Sequence, residues 1–284
     1  MNRLIFPVLC VLTDLHFNYN DDISYILPKI QQCNLLIFNG DILNYDSIKD
    51  CPPSKNCTNA VQWLNTTISM FNKPFLFTLG NHDSITGPNK TFAAPYLGRH
   101  PLHIGKCNKN YTSCVYKDLS IAMLYSGSYH CPSGSYYGCP TPMDAKFINE
   151  QLDHINLLFT HIPPPIAAFV EDYTGIKADW CDGIWSCGWS NIANVLPSIP
   201  IHWHLFGHDH NNLYTGQLYN TTYSALLKSG KNSYGPCFSN YESGFTTIKR
   251  NIFGQYKLSH ILFNGTEINM KDVPHGDCQK IKPK

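Results

Sequence analysis

Leu35-Leu36-Ile37-Phe38-Asn39-Gly40-Asp41 reads as a strand that ends in a bare carboxylate. The apolar run is strand-like, Gly40 permits a sharp backbone turn, and Asp41 is left at the edge of whatever sheet the strand joins. The pattern recurs on both sides. Upstream, the strand Ile5–Thr13 runs into Asp14-Leu15-His16; downstream, Phe75–Leu79 runs into Gly80-Asn81-His82-Asp83. Between the strands, Asp21–Gln32 reads as a helix with Asp21 and Asp22 at its start and Pro28 in its middle. Thr58–Phe71 has helical periodicity in Val61, Leu64, Ile68 and Phe71. Strand–helix alternation implies right-handed crossovers and a parallel sheet. Asp14, Asp41 and Asn81 then share its carboxyl edge, where open α/β sheets bind ligands.

The rest of the chain supplies further strands. Val115–Tyr116 and Ile121–Tyr125 read as a pair, followed by a Gly/Ser/Tyr/Pro-rich loop, Ser126–Pro142, and a helix, Asp144–Leu152. Leu157–Thr160 is a strand ending at His161, Asn191–Leu196 a short helix, and Ile201–Phe206 a strand ending at Gly207-His208-Asp209-His210. Tyr223–Leu227, Phe245–Lys249 and Tyr256–Phe263 read as successive antiparallel strands. The economical architecture is α/β: a second mixed β-sheet packed on the first, with helices outside, a four-layer αββα sandwich. With no repeat, low-complexity tract or linker, residues 1–284 read as a single domain whose strands after about residue 213 complete the second sheet.

Charged residues make up 14% of the chain, against roughly 25% in typical soluble domains. Net charge is +1 and the sequence has no Lys/Arg block, so it offers neither nucleic acid nor an anionic membrane electrostatic support. It contains no apolar run long enough to span a bilayer. A monomer acting on a small molecule is expected.

Of the 12 cysteines, eight fall in close pairs within Pro/Gly/Ser/Asn-rich segments: Cys51/Cys57, Cys107/Cys114, Cys131/Cys139 and Cys181/Cys187. These read as short disulfide-closed loops, with Cys237/Cys278 a longer candidate; Cys10 is either a buried thiol or bonded to Cys33. Asn-x-Thr triplets occur at Asn56, Asn65, Asn89, Asn110, Asn220 and Asn264, where composition alone accounts for about one or two. Both features indicate a secretory route, to the exterior or to a lysosomal or vacuolar lumen. No separable signal peptide is visible, because Leu4–Leu12 runs straight into Asp14 and reads as the first core strand.

Asp14, His16, Asp41, Asn81, His161, His208 and His210 together offer carboxylate, amide and imidazole donors, enough for two borderline divalent cations sharing one carboxylate. The spacing of two in Asp14-x-His16 lets both donors point to one side of an extended strand end. Zinc is favoured, with manganese or iron as alternatives. His202 and His204, alternating on a strand, read as core-facing rather than ligating.

The five clusters, Asp14-x-His16, Gly40-Asp41, Gly80-Asn81-His82-Asp83, His161 and Gly207-His208-Asp209-His210, resemble the pattern of the calcineurin-like metallophosphoesterase superfamily across essentially the whole chain. Phe159-Thr160-His161-Ile162-Pro163, Gly207 to Asn212 and Ser126-Gly127-Ser128-Tyr129 look like the purple-acid-phosphatase-like branch. Asp14-Leu15-His16, the His161-Ile-Pro-Pro segment and the disulfide candidates look like acid-sphingomyelinase-like phosphodiesterases. Position 44 is Asn where purple acid phosphatases carry a metal-bound Tyr, Tyr45 comes one residue late, and His16 is present, which puts a tyrosine–iron centre in doubt.

The resemblance implies one cation on Asp14, His16, Asp41 and His210, and another on Asp41, Asn81, His161 and His208. It makes His82 the general acid and leaves Asp83 either tuning it or holding a turn. The implied reaction is hydrolysis of a phosphate monoester by metal-activated hydroxide at acidic pH. A phosphodiesterase and a non-catalytic metal- and phosphate-binding module are the alternatives. Trp180, Trp185 and Trp189 around Cys181/Cys187 form either a lid over the substrate or a small core of their own.

Overall fold

The computed structural model describes residues 7–17, 21–43, 58–80, 83, 93–126, 142–162, 197–208, 210, 213, 215–218, 220–230, 243–268, 273 and 275–277. In chain order the strands are β1 (Val8–Leu12), β2 (Leu35–Asn39), β3 (Phe75–Thr78), β4 (Lys106–Cys107), β5 (Ser113–Tyr116), β6 (Ile121–Leu124) and β7 (Ile155–Thr160). They continue with β8 (Ile201–Phe206), β9 (Thr215–Leu218), β10 (Thr221–Ala225), β11 (Gly244–Arg250), β12 (Tyr256–Leu262), β13 (Glu267–Ile268) and β14 (His275–Asp277). The helices are α1 (Thr58–Phe71), α2 (Ala93–Arg99) and α3 (Pro142–Gln151).

Two mixed sheets result, as expected from the sequence. One has the order β13-β12-β11-β1-β2-β3, the other β14-β9-β10-β8-β7-β6-β5-β4. β1, β2 and β3 pair in parallel, as the strand–helix alternation requires. β6, β7 and β8 do the same in the second sheet. The main core lies between the sheets, where Leu9, Val11 and Ile37 of the first join Ile121, Met123, Leu157, Phe159 and Leu205 of the second. On the other face of the second sheet, Ala122, Leu124 and Leu158 pack with Ile148 and Leu152 of α3 and its C-terminal end. Phe71 of α1 meets Phe38 at 5.6 Å between ring centroids, which fixes the helix against the first sheet. Side chains of alternating direction on β6 thus serve two cores at once.

Three expectations need correction. Asp21–Gln32 forms hydrogen-bonded turns rather than an α-helix. Pro28 has no N–H to give the Ser24 carbonyl and its ring crowds that carbonyl. Most of the bonds that form are therefore tighter i to i−3 contacts, Ile26 to Ile23, Lys29 to Ile26 and Cys33 to Ile30, with a single longer i to i−4 bond from Ile30 to Ile26. β10 is no neighbour of β11: it lies parallel to β8 and antiparallel to β9, while β11 pairs with β1. The strands after residue 213 therefore do not all complete the second sheet but divide, β9, β10 and β14 joining it and β11, β12 and β13 extending the first. His202 is exposed at the start of β8, whereas His204 is buried as expected. The short helix at 191–196, the loop at 127–141 and the tryptophan segment lie outside the described residues.

Cys10–Cys33 and Cys107–Cys114 are disulfides. The first resolves the open choice for Cys10 and ties β1 to the turn preceding β2. The second is the one short cysteine loop of the expected set that falls within the described residues. The other expected pairs, Cys51 with Cys57, Cys131 with Cys139, Cys181 with Cys187 and Cys237 with Cys278, all lie outside the described residues.

Two buried histidines set an acid limit on stability. His204 donates to or accepts from Thr160 Oγ1 at 2.9 Å, and His260 does so with Thr246 Oγ1 at 2.8 Å. Burial holds their pKa values down at about 3 and about 4. An unfolded histidine titrates near 6.5, so as pH falls the unfolded chain binds these protons first. Stability present above about 6.5 is lost as pH falls toward the folded values. Between pH 6.5 and 5 the two together are expected to remove about 3 kcal/mol. Urea unfolding of the wild type and of a His204→Gln, His260→Gln variant at the two pH values checks this; an equal change of midpoint in the two proteins contradicts it.

Candidate metal centre

The site forms where two pairs of parallel strands end. Beyond β1 and β2 the chains stay in register: Asp14 N–H donates to Gly40 O at 3.1 Å, His16 N–H to Asp41 O at 2.8 Å and Phe17 N–H to Ile42 O at 2.9 Å. Beyond β7 and β8, Gly207 N–H donates to His161 O at 3.0 Å. Four short strand extensions therefore converge, carrying the aspartates on one side and the histidines His161, His208 and His210 on the other.

Asp14 and His16 do not lie on an extended strand end as the spacing suggested. Their φ values are 51° and 47°, and Asp41, His208 and His210 are also left-handed, at 48°, 71° and 52°. Left-handed backbone at a residue other than glycine costs on the order of 1–3 kcal/mol and persists only where the surroundings enforce it. Here the five residues that bear the cost are all candidate ligand donors.

Side-chain geometry divides these residues into two buried groups. Asp14, His16 and His210 bring their ligand atoms within 4.8 Å of one another, and so do Asp41, His161 and His208. His16 Nε2 and His210 Nε2 are 3.3 Å apart; His161 Nε2 and His208 Nδ1 are also 3.3 Å apart. Asp41 Oδ2 lies between the groups, 3.1 Å from His161 Nε2 and 3.8 Å from His16 Nε2. Asp14 Oδ1 is 3.8 Å from His210 Nε2, 4.0 Å from His16 Nε2 and 3.9 Å from His161 Nε2.

Neighbouring groups aim these donors. His161 Nδ1 is 2.9 Å from the Asn39 carbonyl, which makes Nδ1 the protonated nitrogen and turns Nε2 toward Asp41. Asn39 is itself held by its side-chain amide donating to Thr160 O at 3.0 Å. The Thr13 hydroxyl lies 2.8 Å from Asp14 Oδ2 and 2.9 Å from Asn39 O. His208 N–H donates to the Asp14 carboxylate, 3.0 Å from Oδ2. Sequence reading passes over Thr13 and Asn39, and the only signal they give is a polar residue closing an apolar strand.

Two glycines are required by close approach. A Cβ on Gly40, whose φ is +81°, would fall 2.4 Å from His161 Nδ1, and one on Gly80 would fall 2.1 Å from Asp41 Oδ1. Asp83 is buried and accepts from Leu43 N–H and Gly80 N–H, each at 2.9 Å. These are the contacts of a carboxylate that holds a turn. Burial, reinforced by the Asp41 carboxylate, pushes its pKa up to about 7. Asn81 and His82 lie outside the described residues.

The electrostatics call for positive charge. Burial works to lower the His161 pKa, yet the Asp41 and Asp14 carboxylates drive it up to about 10. Two carboxylates and four imidazoles, buried in two sets with one carboxylate between them, have the donor chemistry of a pair of borderline divalent cations. A third grouping, His103, Cys107 and Cys114, is different: its two sulfurs are bonded to each other, so it offers no thiolate.

The sequence pattern for the calcineurin-like phosphoesterase family matches residues 8–212. No curated protein matches the chain. Among solved structures, a dimetal phosphatase from Danio rerio aligns at a TM-score of 0.53 and 11% identity, over 90% of this chain and 95% of that one. It shares the fold. A predicted phosphoesterase from Streptococcus pneumoniae aligns at a TM-score of 0.34 and 10% identity, over 92% of this chain and 97% of that one. A single mutant of Vps29 from Entamoeba histolytica aligns at a TM-score of 0.34 and 11% identity, over 92% and 99%.

Proposed function

Because the chain belongs to the calcineurin-like phosphoesterase family, we propose that it is a two-metal hydrolase of phosphate monoesters. The observation that carries this reading is the partition of six buried donors into two groups with Asp41 between them. Asp14, His16 and His210 would hold one cation and His161, His208 and Asn81 the other, with Asp41 shared. Such a pair supplies Lewis-acid charge to a phosphate's oxygens and lowers the pKa of a water nucleophile.

The chain's own residues do the rest. Asn39 fixes the tautomer and direction of His161. Thr13 and the His208 amide fix the Asp14 carboxylate. Asp83 holds the Gly80 turn against Leu43. His82 gives its proton to the departing alkoxide.

Zinc fits this set of imidazole and carboxylate donors, and a secreted or lysosomal/vacuolar glycoprotein fits the two disulfides together with the exposed sequon residues Asn65, Asn110, Asn220 and Asn264. Asn56 and Asn89 lie outside the described residues.

The deciding experiment strips the protein of metal and restores zinc, manganese or iron. Hydrolysis of a chromogenic phosphate monoester and of the matching diester is then followed at pH 5 and pH 7. Faster turnover of the monoester is expected. Preference for the diester would make the protein a phosphodiesterase, and no turnover of either ester with metal bound would make it a binding module.

A further inference from the structure

We propose that the tip of the β11–β12 hairpin docks the protein on an anionic phospholipid bilayer. Ile252 and Phe253 at this tip are 78% and 81% exposed, the most exposed large apolar side chains among the described residues. They are held out rather than hanging loose. Asn251 Oδ1 accepts the N–H groups of Phe253 and Gln255, each at 2.9 Å, and its amide donates to Gln255 Oε1 at 3.0 Å. Across the turn, Asn251 N–H donates to Gln255 O at 2.8 Å and Gly254 N–H to Asn251 O at 3.0 Å.

Directly behind the tip, Lys249 and Lys257 face each other in register across the two strands, and both are exposed. Like charges directly opposite on a sheet destabilise it. Arg250 lies beside them, with its Nε donating to Gly254 O at 3.3 Å and its guanidinium 5.8 Å from the centre of the Tyr256 ring. Tyr256 Oη donates to Leu119 O at 3.3 Å, which brings the turn bearing exposed Lys117 and exposed Asp118 to the hairpin's base. Three cations of the hairpin therefore stand behind an apolar pair, with Lys117 and Asp118 near its base.

The like-charge pair costs the isolated chain stability and the apolar pair is left in water, and one partner relieves both. Apolar side chains enter the acyl boundary while cations behind them sit among anionic headgroups. The absence of a basic block in the sequence hid this surface, because its cations come from three separate segments. The geometry also sets orientation. β11 runs antiparallel to β1, pairing Lys249 with Val8 and Thr246 with Val11. From Val8 the chain climbs about 17 Å to the residues before Asp14. A protein docked by this hairpin holds its metal centre at the opposite end of the first sheet, facing water, where a soluble ester reaches it.

Sedimentation with vesicles of phosphatidylcholine and phosphatidylserine, against vesicles of phosphatidylcholine alone, tests the proposal without reference to catalysis. Binding is expected only to the anionic vesicles and is expected to weaken as salt rises. Lys249→Gln with Lys257→Gln should lower it about 25-fold, about fivefold for each cation. Ile252→Ser with Phe253→Ser should lower it at least about tenfold. Both double variants should keep the wild-type melting temperature or exceed it, and keep turnover of a soluble phosphate ester.

Absence of binding to anionic vesicles, or binding that neither variant weakens, overturns the proposal. So does a concentration-dependent dimer that the Ile252/Phe253 variant abolishes, since the tip then meets a second copy. Loss of soluble-ester turnover in either variant overturns the orientation.

Discussion

Replacing Asp41 by Asn is expected to lower phosphoesterase turnover at least about 10³-fold, more than the loss of a single transition-state hydrogen-bond donor. Asp41 Oδ2 lies between an imidazole of each group, 3.1 Å from His161 and 3.8 Å from His16. Asp14 Oδ1 also lies between the groups, at 3.8 to 4.0 Å from His210, His161 and His16, but only Asp41 comes as close as 3.1 Å to an imidazole. An amide of the same shape keeps the volume, and the backbone bond from His16 N–H to Asp41 O is untouched. What disappears is the negative charge that two cations would share.

Metal analysis separates this effect from misfolding. The variant should keep its circular dichroism spectrum while losing metal from both positions, because each would lose the same ligand. Asp14→Asn is the contrast. Its imidazole neighbours are His210 at 3.8 Å, His161 at 3.9 Å and His16 at 4.0 Å. In the proposed assignment it serves only the position of His16 and His210, so its loss should weaken that position more than the other. If Asp41→Asn keeps both ions and wild-type turnover, Asp41 is not the shared ligand and the assignment fails.

How much of this was legible in advance depended on whether the deciding contact was local. Leu35–Asn39 and Thr58–Phe71 form the elements read from sequence, residue for residue, because their signals are contained in the segments themselves. Asp21–Gln32 shows the same rule in reverse: the helix pattern is present, but one missing N–H at Pro28 outweighs it. From sequence β10 reads as a neighbour of β11, because nothing inside Thr221–Ala225 says that its partner is β8. Pairing register is a property of two distant segments.

The site divides the same way. Residue types at strand ends were visible, so the donors could be named. Their left-handed backbones were not, since Asp14-Leu15-His16 contains no glycine to announce one. The turn is imposed by the ladder to Gly40, Asp41 and Ile42. Nor was the second tier of contacts visible. Thr13, Asn39 and Gly80 matter because of which atoms they approach, and those atoms belong to other strands.

His82→Ala is expected to lower turnover by about 10²–10⁴ while metal content stays at the wild-type level. The size of the effect should follow the leaving group. An alkyl phosphate expels an alkoxide, a strong base that needs a proton as the bond to phosphorus breaks. A nitrophenyl phosphate expels a stable phenolate that needs little help. The variant should therefore lose most of its activity on the alkyl ester and much less on the nitrophenyl ester. A histidine acting as acid must carry its proton, and an ordinary histidine titrates near 6.5. In the wild type, kcat/KM for the alkyl ester should accordingly fall as pH rises past the His82 pKa, and that alkaline limb should vanish in the variant. A structural role would produce a different set of results: equal losses on both esters, an unchanged alkaline limb and depleted metal. Asp83, whose oxygens are engaged with Gly80 and Leu43, provides the control. Asp83→Asn keeps the acceptor of one of those bonds and is expected to change stability more than the leaving-group dependence, because its carboxylate holds the turn, whereas the proposed acid is His82.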